Sequence, residues 1–172
     1  MDGAKYWYSN TNPFYPSGYG LPNCTCYAWG RFWEISEQAD KPHIPTLPSS
    51  NGGEWWGQVS GYETGQEPKL GAVACYSQPG QAGHVAIVEE IDAEGNCRMS
   101  NSGYSRDPGG VNDPQYFFMS TNPKQNGYLA DWEIAGGYVF QGFIYNPYAC
   151  ASTTPPTPAK KRKMPLWMYS TF

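Results

Sequence analysis

Asn23-Cys24-Thr25-Cys26-Tyr27-Ala28-Trp29-Gly30-Arg31 is the stretch from which the fold is read. Pro22 stands just before it, and Asn23 has the side chain of a helix N-cap. From Cys24 to about Gln38, Tyr27, Ala28, Phe32 and Ile35 recur at helical spacing, so the pattern predicts a helix with one apolar stripe. A cysteine then opens the first turn. Free N–H groups and the helix dipole at that position favour a thiolate, which predicts a thiol pKa lowered from about 8.5. The backbone N–H of Cys24 is also an oxyanion donor in waiting. The plainer reading of Cys24 taken alone is a small buried hydrophobe.

Downstream the period changes. The stretch from Lys41 to Gly65 is broken by Pro42, Pro45, Pro48 and Gly52-Gly53 and reads as a loop with one turn of helix at most. Gly71 to Tyr76 and His84 to Val88 are apolar runs of strand length, followed by Cys97 to Ser102, Tyr116 to Met119 and Tyr138 to Tyr145. Upstream, residues 1–22 read as an irregular lead-in rich in turn residues. One helix followed by a meander of strands is an α+β class.

Length and composition set the outer limits. The 172 residues suit one domain with a proper core, assigned to residues 1–150. Residues 151–163 form a Pro-rich and basic linker, and 164–172 read as a tail or the start of a module that stops early. A net charge of −4, with the single basic run Lys160 to Lys163 in the tail, argues against nucleic-acid binding. No apolar run reaches the eighteen or so residues of a membrane span, and no apolar segment of a Sec signal follows Met1-Asp2-Gly3. Five cysteines leave at least one thiol free, which argues against a disulfide scaffold. The single residue between Cys24 and Cys26 is too few for an ordinary structural zinc site.

A thiol nucleophile needs an imidazole, and only His43 and His84 can supply one. His43, between Pro42 and Pro45, reads as a surface residue. His84 directly follows Gly83 and opens a buried strand, which places a ring at a cleft edge. The strands around it predict an antiparallel hairpin that brings Asn101 opposite His84 or about two residues away. The plainer reading of Asn101 is a turn-favouring residue before Gly103.

These segments resemble three motifs of the CHAP family, the cysteine, histidine-dependent amidohydrolases/peptidases. Asn23 to Arg31 resembles the family's cysteine motif. Gly71-Ala72-Val73-Ala74 and Gly83-His84-Val85-Ala86-Ile87-Val88 resemble its histidine motif, and Met99 to Tyr104 its orienting strand. The resemblance implies a papain-like (NlpC-like) α+β fold and cleavage of an amide bond in bacterial peptidoglycan. It implies a set of Cys24 as nucleophile, His84 as base and Asn101 as the group orienting the ring. Many members carry Glu where this chain has Asn101. Some bind calcium through acidic residues before the cysteine; residues 10–22 contain none, so no metal and no cofactor are expected.

Asn23, Trp55 and Trp56 are candidates for oxyanion or substrate contact. Bacterial peptidoglycan is the expected partner of a monomer. A phage lysin, kept in the host cytoplasm until holin-mediated release or carried on a virion, is the expected setting. Two other classes remain: a non-catalytic wall-binding module using its aromatics, and a papain-fold amidase acting on a small molecule.

Overall fold

The computed structural model describes residues 3–106 and 112–149. The linker and tail assigned to 151–163 and 164–172 lie outside them. Asn23 caps α1 (Cys24–Gln38), its side-chain oxygen accepting from the Cys26 N–H at 2.9 Å. Cys26, Tyr27, Ala28, Trp29, Phe32 and Trp33 of α1 enter one core layer with Ile35 partly buried against it, so the buried surface is wider than the single stripe of Tyr27, Ala28, Phe32 and Ile35. Gly30, mid-helix, is required by packing: a Cβ there would collide with the Trp7 indole, whose Nε1 donates to the Tyr27 carbonyl.

Six strands follow. They are β1 (Thr64–Gly65), β2 (Val73–Ser77), β3 (His84–Ile91), β4 (Cys97–Arg106), β5 (Asn112–Asn122) and β6 (Val139–Ile144), in one antiparallel sheet ordered β1-β6-β2-β3-β4-β5. Helix α1 packs against β3 and β4. Two short helices complete the set, α2 (Trp55–Gln58) and α3 (Asp131–Ala135). The α+β class and the papain-like layout of a cysteine-bearing helix against an antiparallel sheet are what the structure has.

Both faces of the sheet are buried, which explains why its strands read as continuous apolar runs rather than alternating ones. On one face Val73, Cys75, Val85, Ile87 and Ile144 pack with α1. On the other Ala74, Tyr76, Ala86, Val88, Met99 and Phe143 form a second cluster with Tyr128. The period of two along β2 and β3 sorts the side chains between the two layers.

The N-terminal stretch is more than a lead-in. Tyr6, Trp7 and Phe14 enter the helix-side core, and buried Asn12 donates to the Tyr6 and Cys26 carbonyls at 2.9 and 3.0 Å. Its turn residues fold around this amide, so a turn-rich sequence conceals a packed element. His43 also departs from expectation: it is half-buried and lies against Tyr148, ring centroids 4.4 Å apart.

Candidate active site

The start of α1 and the start of β3 meet at one end of the sheet. The backbone N–H groups of Val85, the residue after His84, of Thr25 and of Cys24 itself act on the Cys24 thiol, each favouring its thiolate form. Just before His84 the backbone also packs closely against β2 and the Gly53 segment. Gly83 has φ +71, and a Cβ there would lie 2.5 Å from both the Tyr76 carbonyl oxygen and the Gly53 Cα. Only glycine fits, in conformation and in space.

His84 is buried, and its ring is enclosed by the aromatic faces and edges of Trp132, Tyr138 and Tyr76, with centroids 5.2, 6.3 and 6.2 Å away. Its Nε2 lies 2.8 Å from Asn101 Oδ1. The amide orientation of Asn101 follows from its other partners, because Nδ2 donates to the Met99 carbonyl at 3.0 Å and to Ser120 Oγ at 2.9 Å. The oxygen therefore faces the ring, and since it can only accept, Nε2 carries the proton. Nδ1 is left as the unprotonated nitrogen. The β3–β4 hairpin forms with Ile87 opposite Ser100, so Asn101 sits one position further, level with Ala86 and diagonal to His84.

Burial governs the ionisation of both groups. It pushes the His84 imidazole down to about 4, against the opposing effect of the Asn101 hydrogen bond. It also raises the Cys24 thiol, and the three backbone N–H groups only partly offset this. The expectation of a thiol lowered by the helix start is therefore corrected. Desolvation outweighs the helix-terminal donors, and the thiol and the imidazole each rest neutral near pH 7.

The remaining candidates separate. Asn23 uses its oxygen on the helix cap and on the Thr25 hydroxyl, which donates to it at 2.6 Å. Trp55 is wholly buried, stacked near Phe14 with Nε1 donating to the Ser50 carbonyl at 3.1 Å, so it faces no substrate. The loop that carries it folds inward, so the Trp55 candidate for substrate contact is part of the core. Trp56 is half-buried over Gly142 of β6. Among the described residues, no three of His, Cys, Asp and Glu group as a metal ligand set. No helix among them is long and apolar enough to cross a membrane.

Sequence reasoning overlooked Arg31 as a structural tie. Its guanidinium grips Glu89 through two contacts of 2.8 Å and reaches Glu34 at 2.6 Å, while Ser100 Oγ donates to Glu89 at 2.7 Å. Although burial raises the Glu89 carboxyl, the Arg31 pair outweighs it and the net shift is downward. This carboxylate pins α1 to β3 and β4 and is turned toward Arg31 rather than His84. Also missed were Ser120, Asn122 and Glu133, which lie behind Asn101. A five-residue helix leaves too short a pattern to announce Glu133.

The fold is an α+β domain with a thiol at the start of its main helix and, at the start of β3, an imidazole hydrogen-bonded to a buried amide. The chain belongs to the CHAP domain family, whose model matches residues 14–103, just over half of its length. It is similar to the Staphylococcal secretory antigen ssaA2 of Staphylococcus aureus strains NCTC 8325 / PS 47 and COL. The identity to each is 30% over 122 residues, covering 63% of this chain and 45% of the relative. The chain thus spans less than half the length of these curated relatives. Among solved structures it is similar to an N-acetylmuramoyl-L-alanine amidase from Staphylococcus aureus, at 19% identity and a TM-score of 0.42. That match covers 69% of this chain and 30% of the other.

Proposed function

We propose that this chain hydrolyses an amide bond of bacterial peptidoglycan, with Cys24 as nucleophile and His84 as base. The observation that carries the reading is the 2.8 Å contact between His84 Nε2 and Asn101 Oδ1, which leaves Nδ1 as the unprotonated nitrogen, and the Val85 N–H next to His84 acts on the Cys24 thiol. Membership of the CHAP family supports the reaction class.

The resting pair is neutral, so the thiol proton passes to His84 Nδ1 as sulfur attacks the carbonyl carbon. The oxyanion meets the Cys24 N–H, with the Asn23 Nδ2 as a second donor. Collapse of the tetrahedral intermediate breaks the C–N bond, and His84 returns the proton to the leaving amine. A water molecule, deprotonated by the now neutral imidazole, then attacks the thioester, and the departing sulfur regains a proton from His84. Asn101 keeps the ring in register through both halves.

The test is loss of turbidity in a cell-wall suspension. Wild type should clear it, and Cys24→Ala should bind the same walls without clearing them. Clearing by Cys24→Ala would sink the mechanism. Binding by both proteins with no fragments released from either would instead identify a wall-binding module. Mass spectrometry of the fragments assigns the bond, as a stem-peptide or cross-bridge amide in an endopeptidase, or the muramoyl-L-alanine amide in an amidase.

A further inference from the structure

Behind Asn101 a line of buried polar groups crosses the sheet face away from α1. Strand pairing puts Phe118 opposite Asn101, Ser120 opposite Met99 and Asn122 opposite Cys97. The period of two then sets Ser120 and Asn122 in file on that face. Asn101 Nδ2 donates to Ser120 Oγ at 2.9 Å, and Ser120 Oγ donates to Asn122 Oδ1 at 2.6 Å. Asn122 Nδ2 donates to Glu133 Oε2 at 2.8 Å, and the Ala130 backbone N–H donates to the same oxygen at 2.6 Å. Ser120 is 8% exposed and Asn101, Asn122 and Glu133 are wholly buried, so water is largely excluded from the file.

The direction of the file is fixed from its far end. The Ala130 N–H makes Glu133 Oε2 an acceptor. Asn122 must then present its nitrogen, which also donates to the Tyr128 carbonyl at 3.0 Å. Its oxygen faces Ser120, which must donate. Ser120 therefore has its lone pairs for Asn101 Nδ2, and Asn101 has its oxygen for the ring. Every donor points away from His84.

We propose that Glu133 is a positioning residue that anchors the Asn122–Ser120–Asn101 relay, and through it holds His84 in the tautomer whose Nδ1 is free for the Cys24 thiol. This rests on the Cys24–His84 reading above. A carboxyl is otherwise a costly group to place there: its Oε1 is buried with no hydrogen-bond partner. Burial pushes Glu133 up to about 8, with the Ala130 and Asn122 donors opposing. The group facing it from β2 is the Tyr76 phenol, which bonds Asn122 at 3.2 Å and donates to the Tyr128 carbonyl at 2.8 Å. From β3 the neutral His84 ring reaches this side through Trp132. Near pH 7 the carboxyl is therefore mostly neutral, and Oε2 accepts in either protonation state, so a glutamine should replace it.

The experiment measures kcat and KM on soluble wall fragments, together with the 15N resonances of the His84 ring. Glu133→Gln should keep kcat within about twofold. Glu133→Leu and Ser120→Ala should each lower kcat about tenfold at unchanged KM, the scale of a misoriented catalytic group. Both should convert the Nε2-protonated ring signal to a mixture of tautomers. In an Asn101→Ala background neither should lower kcat further, since the relay acts only through that amide. Wild-type kcat in both variants, an unchanged tautomer, or losses that add to that of Asn101→Ala would overturn the proposal. If Glu133→Leu fails to fold, Ser120→Ala and Glu133→Gln decide. The ring signal is read without turnover, so an active Cys24→Ala would overturn the nucleophile and leave the relay measurable.

Discussion

At His84 two forces oppose each other: burial disfavours the imidazolium, and the Asn101 oxygen favours it by accepting from Nε2–H. Burial wins, leaving a base with a pKa of about 4. The working form is the neutral ring, so activity should be lost as pH falls through about 4, not through 6.5. A kcat/KM profile with its acid limb near 6.5 would contradict this. Asn101→Ala removes the one influence that raises the pKa, so its acid limb should move lower still. Its kcat should fall by about 10- to 1,000-fold, because an orienting group positions the base without reacting. The places of Cys24, His84 and Asn101 in the fold were legible because each belongs to a strong local pattern: a capped helix start, a strand after glycine, and a hairpin face. The thiol's upward shift was not legible, because desolvation depends on everything packed around the sulfur and a helix start reports only the local donors.

Among the elements, α1 begins and ends where the sequence places it, since an Asn cap and a 3.6-residue apolar period act within one segment. The strands were found as runs, while their order was not, because β6 comes from far along the chain to lie between β1 and β2. Helix α3 and the two-residue β1 were missed because each is too short for its period to repeat twice. The junction before β3 depends most on one residue. Gly83→Ala would force a positive φ on alanine and drive its Cβ into the Tyr76 carbonyl and the Gly53 backbone. Stability should fall by about 2 kcal/mol or more, and kcat should fall with it as His84 shifts. Denaturant melts and turnover on the same variant check both; a stable, fully active protein would show that the close approach is dispensable.

Across the whole molecule, burial of both sheet faces gives the site a rigid mount. The helix-side layer supports the thiol from α1, and the opposite layer holds the imidazole, its amide and the polar file behind it. The Arg31–Glu89–Ser100 tie joins the helix to the two strands that carry His84 and Asn101. The two-layer burial was partly legible in the unbroken apolar runs of β2 and β3. The division of chemistry between the layers was not, because it depends on register and on how α3 closes over the sheet.

A thiol kept neutral at rest is also a thiol slow to be spoiled. Alkylating and oxidising agents attack the thiolate, so desolvation at Cys24 should shield its sulfur chemically. The other three described cysteines are shielded sterically, with Cys26 and Cys75 at 0% exposure and Cys97 at 1%. Peptide mapping after brief treatment with iodoacetamide at pH 7 should find those three unmodified in the folded protein. Cys24 should label more slowly than a free cysteine, at a rate that climbs with pH well beyond 8.5. Such a protein would keep its activity in oxidising surroundings without added reductant.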